Sequence, residues 1–277
     1  MIASRSSSRK VFHDTATPLC HTPFGKNTAR IGDYRVAHGY EGVEWGLDGW
    51  RLMKPEGRRR QLLERLRTAE PLCSVHAPYT DLEIGHRDPE HAGAACRILQ
   101  DYLDAAADLG AHHVNIHVGT FSPDPEELCR ETLARNLTTL MEHALRRGVP
   151  LTVENLRGGP SSDPDSFAAL LRQTGAPVTF DLGHAGGCPW VLEGRGTVVD
   201  FLRAVPTQIL SAHLYLIERD DTHFAPDTLA DLAPALDALT ERGCDFWVLE
   251  LHALEALERT RQIVDHYLRE RGERAPS

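Results

Sequence analysis

The stretch VTFDLGHA, Val178 to Ala185, sets Asp181 directly behind three apolar or β-branched residues and His184 three positions further on. A carboxylate at the end of a buried strand has to be paired, ligated or protonated, because an unpaired buried charge is costly. The same arrangement recurs along the chain. Short apolar runs end at Glu44 (EGVEWGL), His76 (LCSVHAPY), His117 (HHVNIHVG), Glu154 (LTVENL), His213 (ILSAHLYL) and Glu250 (FWVLELH). The segment RDDTHF adds Asp221 and His223. Imidazole and carboxylate donors in mixture are what Zn, Mn or Fe accept.

Side chains two apart on a strand share a face. Two residues before these donors stand Ser74, Asn115, Thr152, Thr179 and Ser211. The alternate positions carry Val75, Val114, Ile116, Val153, Val178, Phe180 and Ala212, suited to packing beneath helices. The small polar groups are therefore expected one layer below the donors, where they can orient them. Alone, His76 reads as a satisfied core histidine, and Glu154 or Glu250 as the partner of an arginine. Together they converge, and none of the inward strand-end positions is Lys or Arg. Divalent cations are the economical counter-charge. His113, on the face of His117 but deeper, is expected to be a core residue.

Eight such strands, the first VFHDTAT, alternate with helical patterns such as EHAGAACRILQDYLDAAADLG and PEELCRETLARNLTTLMEHALRRG. Several helices end at glycine and begin near Asp, Pro or Thr, as stop and start signals should. The repeat predicts an α/β fold, a single (β/α)8 TIM barrel over residues 10–272, with its metal site at the C-terminal ends of the strands. Residues 1–9 read as a disordered lead and 273–277 as a tail. An open doubly wound sheet fits less well. No glycine-rich phosphate loop follows the first strand, and the chemistry is spread over many strands rather than one switch point.

The formal charge of −10 argues against a nucleic-acid partner, which normally meets a basic face. The start, MIASRSSSRK, is neither a signal peptide nor a membrane span, and six single cysteines without a C-x-x-C pair read as reduced thiols. A cytoplasmic protein acting on a small molecule is expected, with the oligomeric state open.

In this order, GYEGVEW, VHAPY, NIHVGT, TVENL, FDLGHA, AHLYL with DDTH, and VLELH resemble the xylose isomerase-like barrel superfamily, which includes endonuclease IV and many sugar isomerases and epimerases. The resemblance implies two alternatives. A metal-dependent phosphoesterase of endonuclease IV-like type would hold up to three ions. His76, His117 and bridging Glu154 would hold the first; Glu154, Asp181, His213 and Glu250 the second; His184, Asp221 and His223 the third. Glu154 as the bridge and Glu250 positioning water would be catalytic. An isomerase or epimerase would hold one ion on Glu154, Asp181, His213 and Glu250, with the two glutamates as acid and base. A non-catalytic barrel that retains metal is a third possibility. Glu44, Tyr79 and Arg157 are candidate substrate contacts. The acidic chain and the short segment from His213 to Asp221 favour a small phosphodiester or phosphomonoester over DNA.

Overall fold

The computed structural model describes residues 10–14, 28–47, 49–69, 72–119 and 127–274. The expected lead, Cys20, His21, the end of the first expected strand, and residues 275–277 lie outside these. The strands are β1 (Lys10–Asp14), β2 (Gly42–Gly46), β3 (Cys73–His76), β4 (Val114–Ile116), β5 (Leu151–Glu154), β6 (Val178–Asp181), β7 (Ile209–Leu214), β8 (Ile217–Arg219), β9 (Thr222–Phe224) and β10 (Phe246–Leu249). Eight of them, all parallel, close into a barrel in the order β1-β10-β7-β6-β5-β4-β3-β2. The helices between them are α1 (Thr28–His38), α2 (Glu56–Ala69), α3 (Pro89–Leu109), α4 (Arg130–Arg147) and α5 (Pro164–Thr174). After β6 come the short α6 (Leu182–Gly187), α7 (Pro189–Leu192) and α8 (Val198–Ala204), and then α9 (Leu229–Glu241) and α10 (Leu254–Arg274).

Local chemistry sets the helix ends. Asp88 caps α3 by accepting from Glu90 N, Pro89 opens the helix, and Gly110 closes it in the left-handed region at φ 77°. Its buried stripe, Ala95, Leu99, Leu103 and Ala106, follows the helical period and lies against the barrel wall. From the strands Val114, Val153, Val178, Phe180 and Ala212 face outward into this shell with no exposure. Phe180 meets Phe201 of α8 edge-on, with ring centroids 5.7 Å apart.

Two departures from the sequence reading have local causes. Of the helix expected from Pro125, the first two residues lie outside the described residues, and α4 starts at Arg130 because the residues just before it pair elsewhere: Arg87 N donates to Glu127 O and Cys129 N to Gly85 O. The segment after β7 also folds into an antiparallel hairpin, β8 with β9, that periodicity did not show. Asp220 and Asp221 form its two-residue turn, both at positive φ (49° and 55°), which aspartate tolerates better than most residues. Among the described residues no helix is long and apolar enough to cross a membrane.

Candidate metal centre

Register aligns some strand ends and staggers others. Asp181 is aligned with His213 across β6 and β7, and Glu154 stands beside Thr179 across β5 and β6. Below them the small polar residues are all fully buried and hydrogen-bonded. Asn115 donates to Glu154 Oε2. The hydroxyls of Thr152, Thr179 and Ser211 form a chain with 2.7 Å links, and Ser211 ends 3.0 Å from His113 Nε2. Burial pushes the His113 pKa down to about 3, so its ring is neutral and belongs to the core.

Glu154 divides its two oxygens between two sets of rings. Oε2 lies 3.5 Å from His76 Nε2 and 3.3 Å from His117 Nε2; Oε1 lies 3.5 Å from His213 Nδ1 and 3.2 Å from His184 Nδ1. His213 Nδ1 is also 2.8 Å from Glu250 Oε2 and 3.4 Å from Asp181 Oδ2. Ligand atoms of His76, His117 and Glu154, and separately of Glu154, Asp181, His213 and Glu250, all lie within 4.8 Å of one another.

Asp181 and His184 are coupled through the backbone. Asp181 Oδ1 accepts from His184 N at 2.6 Å, capping α6, which leaves Oδ2 to face His213. Asn155 clamps the strand end: its Nδ2 donates to Asp181 O and its Oδ1 accepts from Asp181 N, both at 2.8 Å. Where ring nitrogens donate to carbonyls, the opposite nitrogen is left as an acceptor. His76 Nδ1 stands 2.9 Å from Ala77 O, so a neutral ring that donates there keeps its Nε2 lone pair for a cation beside Glu154.

These residues fit divalent cations. His117 Nε2, Glu154 Oε1, Asp181 Oδ2, His213 Nδ1 and Glu250 Oε2 are buried and make no hydrogen bond among the described residues, although they converge at contact distance. Orphaned buried acceptors of this kind are rare in folded proteins unless a ligand satisfies them. Without cations the compensation falls to protons. Burial opposes charge on Glu154, but the His213 and His117 rings hold its carboxyl well below the usual range. Burial likewise opposes charge on His76, but Glu154 pushes its pKa up to about 10. Asp181 is raised by burial to about 6.

The expected third set is not brought together. Asp221 lies on the hairpin turn, almost fully exposed, and pairs with Arg157 at 2.8 Å. His223 stacks on Tyr215 with centroids 4.2 Å apart, and its Nδ1 lies 2.9 Å from Glu250 O. The acidic group beside His184 is instead Glu218, with Oε2 2.7 Å from His184 Nε2. Glu218 was not legible in the sequence. It lies inside a three-residue strand whose pairing partner, His223, is set only by the hairpin register.

Glu44 requires a correction. Glu44 lies beneath the donors, with Oε2 3.9 Å from Nε2 of the core residue His113 and Oε1 3.0 Å from Nε2 of His213. It is fully buried, accepts from Ser74 Oγ at 2.6 Å, and cannot be a substrate contact. Tyr79 stacks on His117 with centroids 4.5 Å apart, and with Arg157 and Glu250 it lines the cavity at the barrel mouth.

The family model described as Xylose isomerase-like TIM barrel matches residues 33–270. An uncharacterized protein of Methanocaldococcus jannaschii is 28% identical over 197 residues, 71% of this chain and 80% of that protein. The probable endonuclease 4 of Mycobacterium leprae is 31% identical over 153 residues, so the match spans 53% of this chain and 57% of that relative. A D-tagatose 3-epimerase-like protein superposes with a TM-score of 0.73 at 19% identity, covering 95% of this chain and 98% of that chain. Endonuclease IV from Thermus thermophilus gives 0.61 at 21% identity, covering 95% and 99%. At such identities the two structures establish the shared fold.

Proposed function

Since the chain belongs to the xylose isomerase-like TIM barrel family, we propose that it is a phosphoesterase with two adjacent divalent metal sites, acting on a small-molecule phosphodiester or phosphomonoester. The observation that carries this reading is Glu154, whose two oxygens face separate donor sets. His76, His117 and Glu154 would hold one ion, and Glu154, Asp181, His213 and Glu250 the other. Such a pair supplies Lewis acidity and activates water toward a phosphoryl centre. Zn, Mn and Fe all suit these donors.

The protein's own groups divide the remaining work. Glu154 is 1% exposed, out of reach of a substrate, and would serve as ligand to both ions. Glu250 lines the cavity and is placed to orient an attacking water and accept its proton. Tyr79 and Arg157 line the same cavity as substrate contacts. Asn115, donating to Glu154, fixes the bridge from below. The net charge of −10 disfavours a DNA backbone.

A second reading, a metal-dependent sugar isomerase or epimerase, draws on the four-donor group of Glu154, Asp181, His213 and Glu250. It asks Glu154 to exchange a proton with substrate, which its burial opposes. The test is direct. Chain supplied with Mn²⁺ or Zn²⁺ is assayed on p-nitrophenyl phosphate, bis(p-nitrophenyl) phosphate and a ketose panel. Phosphoester cleavage that disappears with chelator is expected; ketose interconversion without cleavage would overturn the hydrolase reading.

A further inference from the structure

Arg157 follows β5, and two acidic residues of the β8–β9 hairpin share its guanidinium. Nε lies 3.1 Å from Glu218 Oε2 and Nη2 lies 2.8 Å from Asp221 Oδ1. Glu218 is 7% exposed, and the same oxygen stands 2.7 Å from His184 Nε2. Antiparallel register sets Glu218 opposite His223, and opposed side chains on such a pair share a face. Arg157 thus stands among the carboxylates and imidazoles that could otherwise gather a further divalent ion.

The seat is specific. A Cβ at Gly187 would lie 2.5 Å from the Glu218 carbonyl oxygen and 3.0 Å from Arg157 Cδ. Only glycine there lets the hairpin strand and the arginine stem close on α6 together. Among the described residues no hydrogen bond or ion pair engages Nη1, and Arg157 lines the cavity with Glu250 and Tyr79.

We propose that Arg157 is the fixed cation of the barrel mouth, receiving an anionic phosphoryl oxygen of the substrate where a third metal ion would otherwise stand, so that the protein holds two metals. The metal count and the phosphate ligand rest on the phosphoesterase reading. A guanidinium stays charged at any working pH and presents donors in a rigid plane. Glu218 and Asp221 pre-orient that plane, so little freedom is lost when an anion binds.

The test uses the full chain loaded with Zn²⁺, as wild type, R157A, R157K and H223A. Ions per chain are measured by elemental analysis, and inorganic phosphate affinity by calorimetry. Two ions are expected in wild type and H223A. Phosphate should bind R157A about 10- to 100-fold more weakly, the effect of losing a hydrogen bond to a charged group, with partial recovery in R157K. Three ions in wild type with one lost in H223A would overturn the proposal, as would unchanged phosphate affinity in R157A. If R157A proves unfolded, phosphate affinity in R157K equal to wild type would count against the planar-donor role. If R157A loses phosphate affinity while wild type cleaves no phosphoester, the hydrolase reading fails and the Arg157 assignment survives.

Discussion

Nε2 of His213 stands 3.0 Å from Oε1 of Glu44, and both side chains are fully buried. The contact is close but lacks hydrogen-bond alignment. With Nδ1 toward Glu250 and Asp181, a carboxylate at that distance favours the proton on Nε2 electrostatically and so leaves Nδ1 for a metal. Glu44→Gln should weaken metal binding by roughly 10- to 100-fold, as loss of such outer partners commonly does. A chelator-dye competition measures it. Affinity equal to wild type would show that Glu44 serves packing alone.

Glu154 belongs to both donor groups, whereas His117 belongs to one. His117→Ala should therefore lose one ion per chain and keep the other. Glu154→Gln should weaken both and abolish turnover. Elemental analysis separates the cases, and a Glu154→Gln protein with two ions and near wild-type rates would refute the bridge.

The apolar shell between strands and helices does not pass through the metal groups. Stripping metal with chelator should leave the far-ultraviolet circular dichroism unchanged while lowering Tm, because a ligand bound only to the folded state stabilises it by mass action. A collapse of the helical signal on chelation would assign the ions a structural role instead.

Gly183 packs directly under Tyr215, and a Cβ there would overlap the aromatic ring. Gly183→Ala should cost about 1–3 kcal/mol, the usual penalty for overpacking. Denaturant unfolding reads the loss. A variant as stable as wild type would show that the Tyr215 ring can yield at no cost.

The donors at strand ends were readable because a strand repeats every two residues, so Ser74 and His76, or Thr152 and Glu154, declare a common face from their spacing alone. Depth is a different quantity. Glu44 ends the same kind of apolar run, yet its carboxylate is fully buried and set back against Ser74 and His113. No pattern within one strand contains that offset. The mouth was harder still. Asp221 and His223 had the right types, but the turn at Asp220–Asp221 sends Asp221 outward to Arg157 and leaves Glu218 beside His184. Three-residue strands are too short for a period to register.

The glycines of α6 also bear on how quickly a substrate could come and go. At Gly183 and Gly187 the helix meets Tyr215, Glu218 and Arg157 with no side chain of its own between. A wall joined that closely has no slack in which to swing. Entry and departure then fall to the opposite rim, where Leu52 and Tyr79 are exposed and border the cavity. If product release limits turnover, the gate to look for is on that side, and the hairpin is its fixed doorpost.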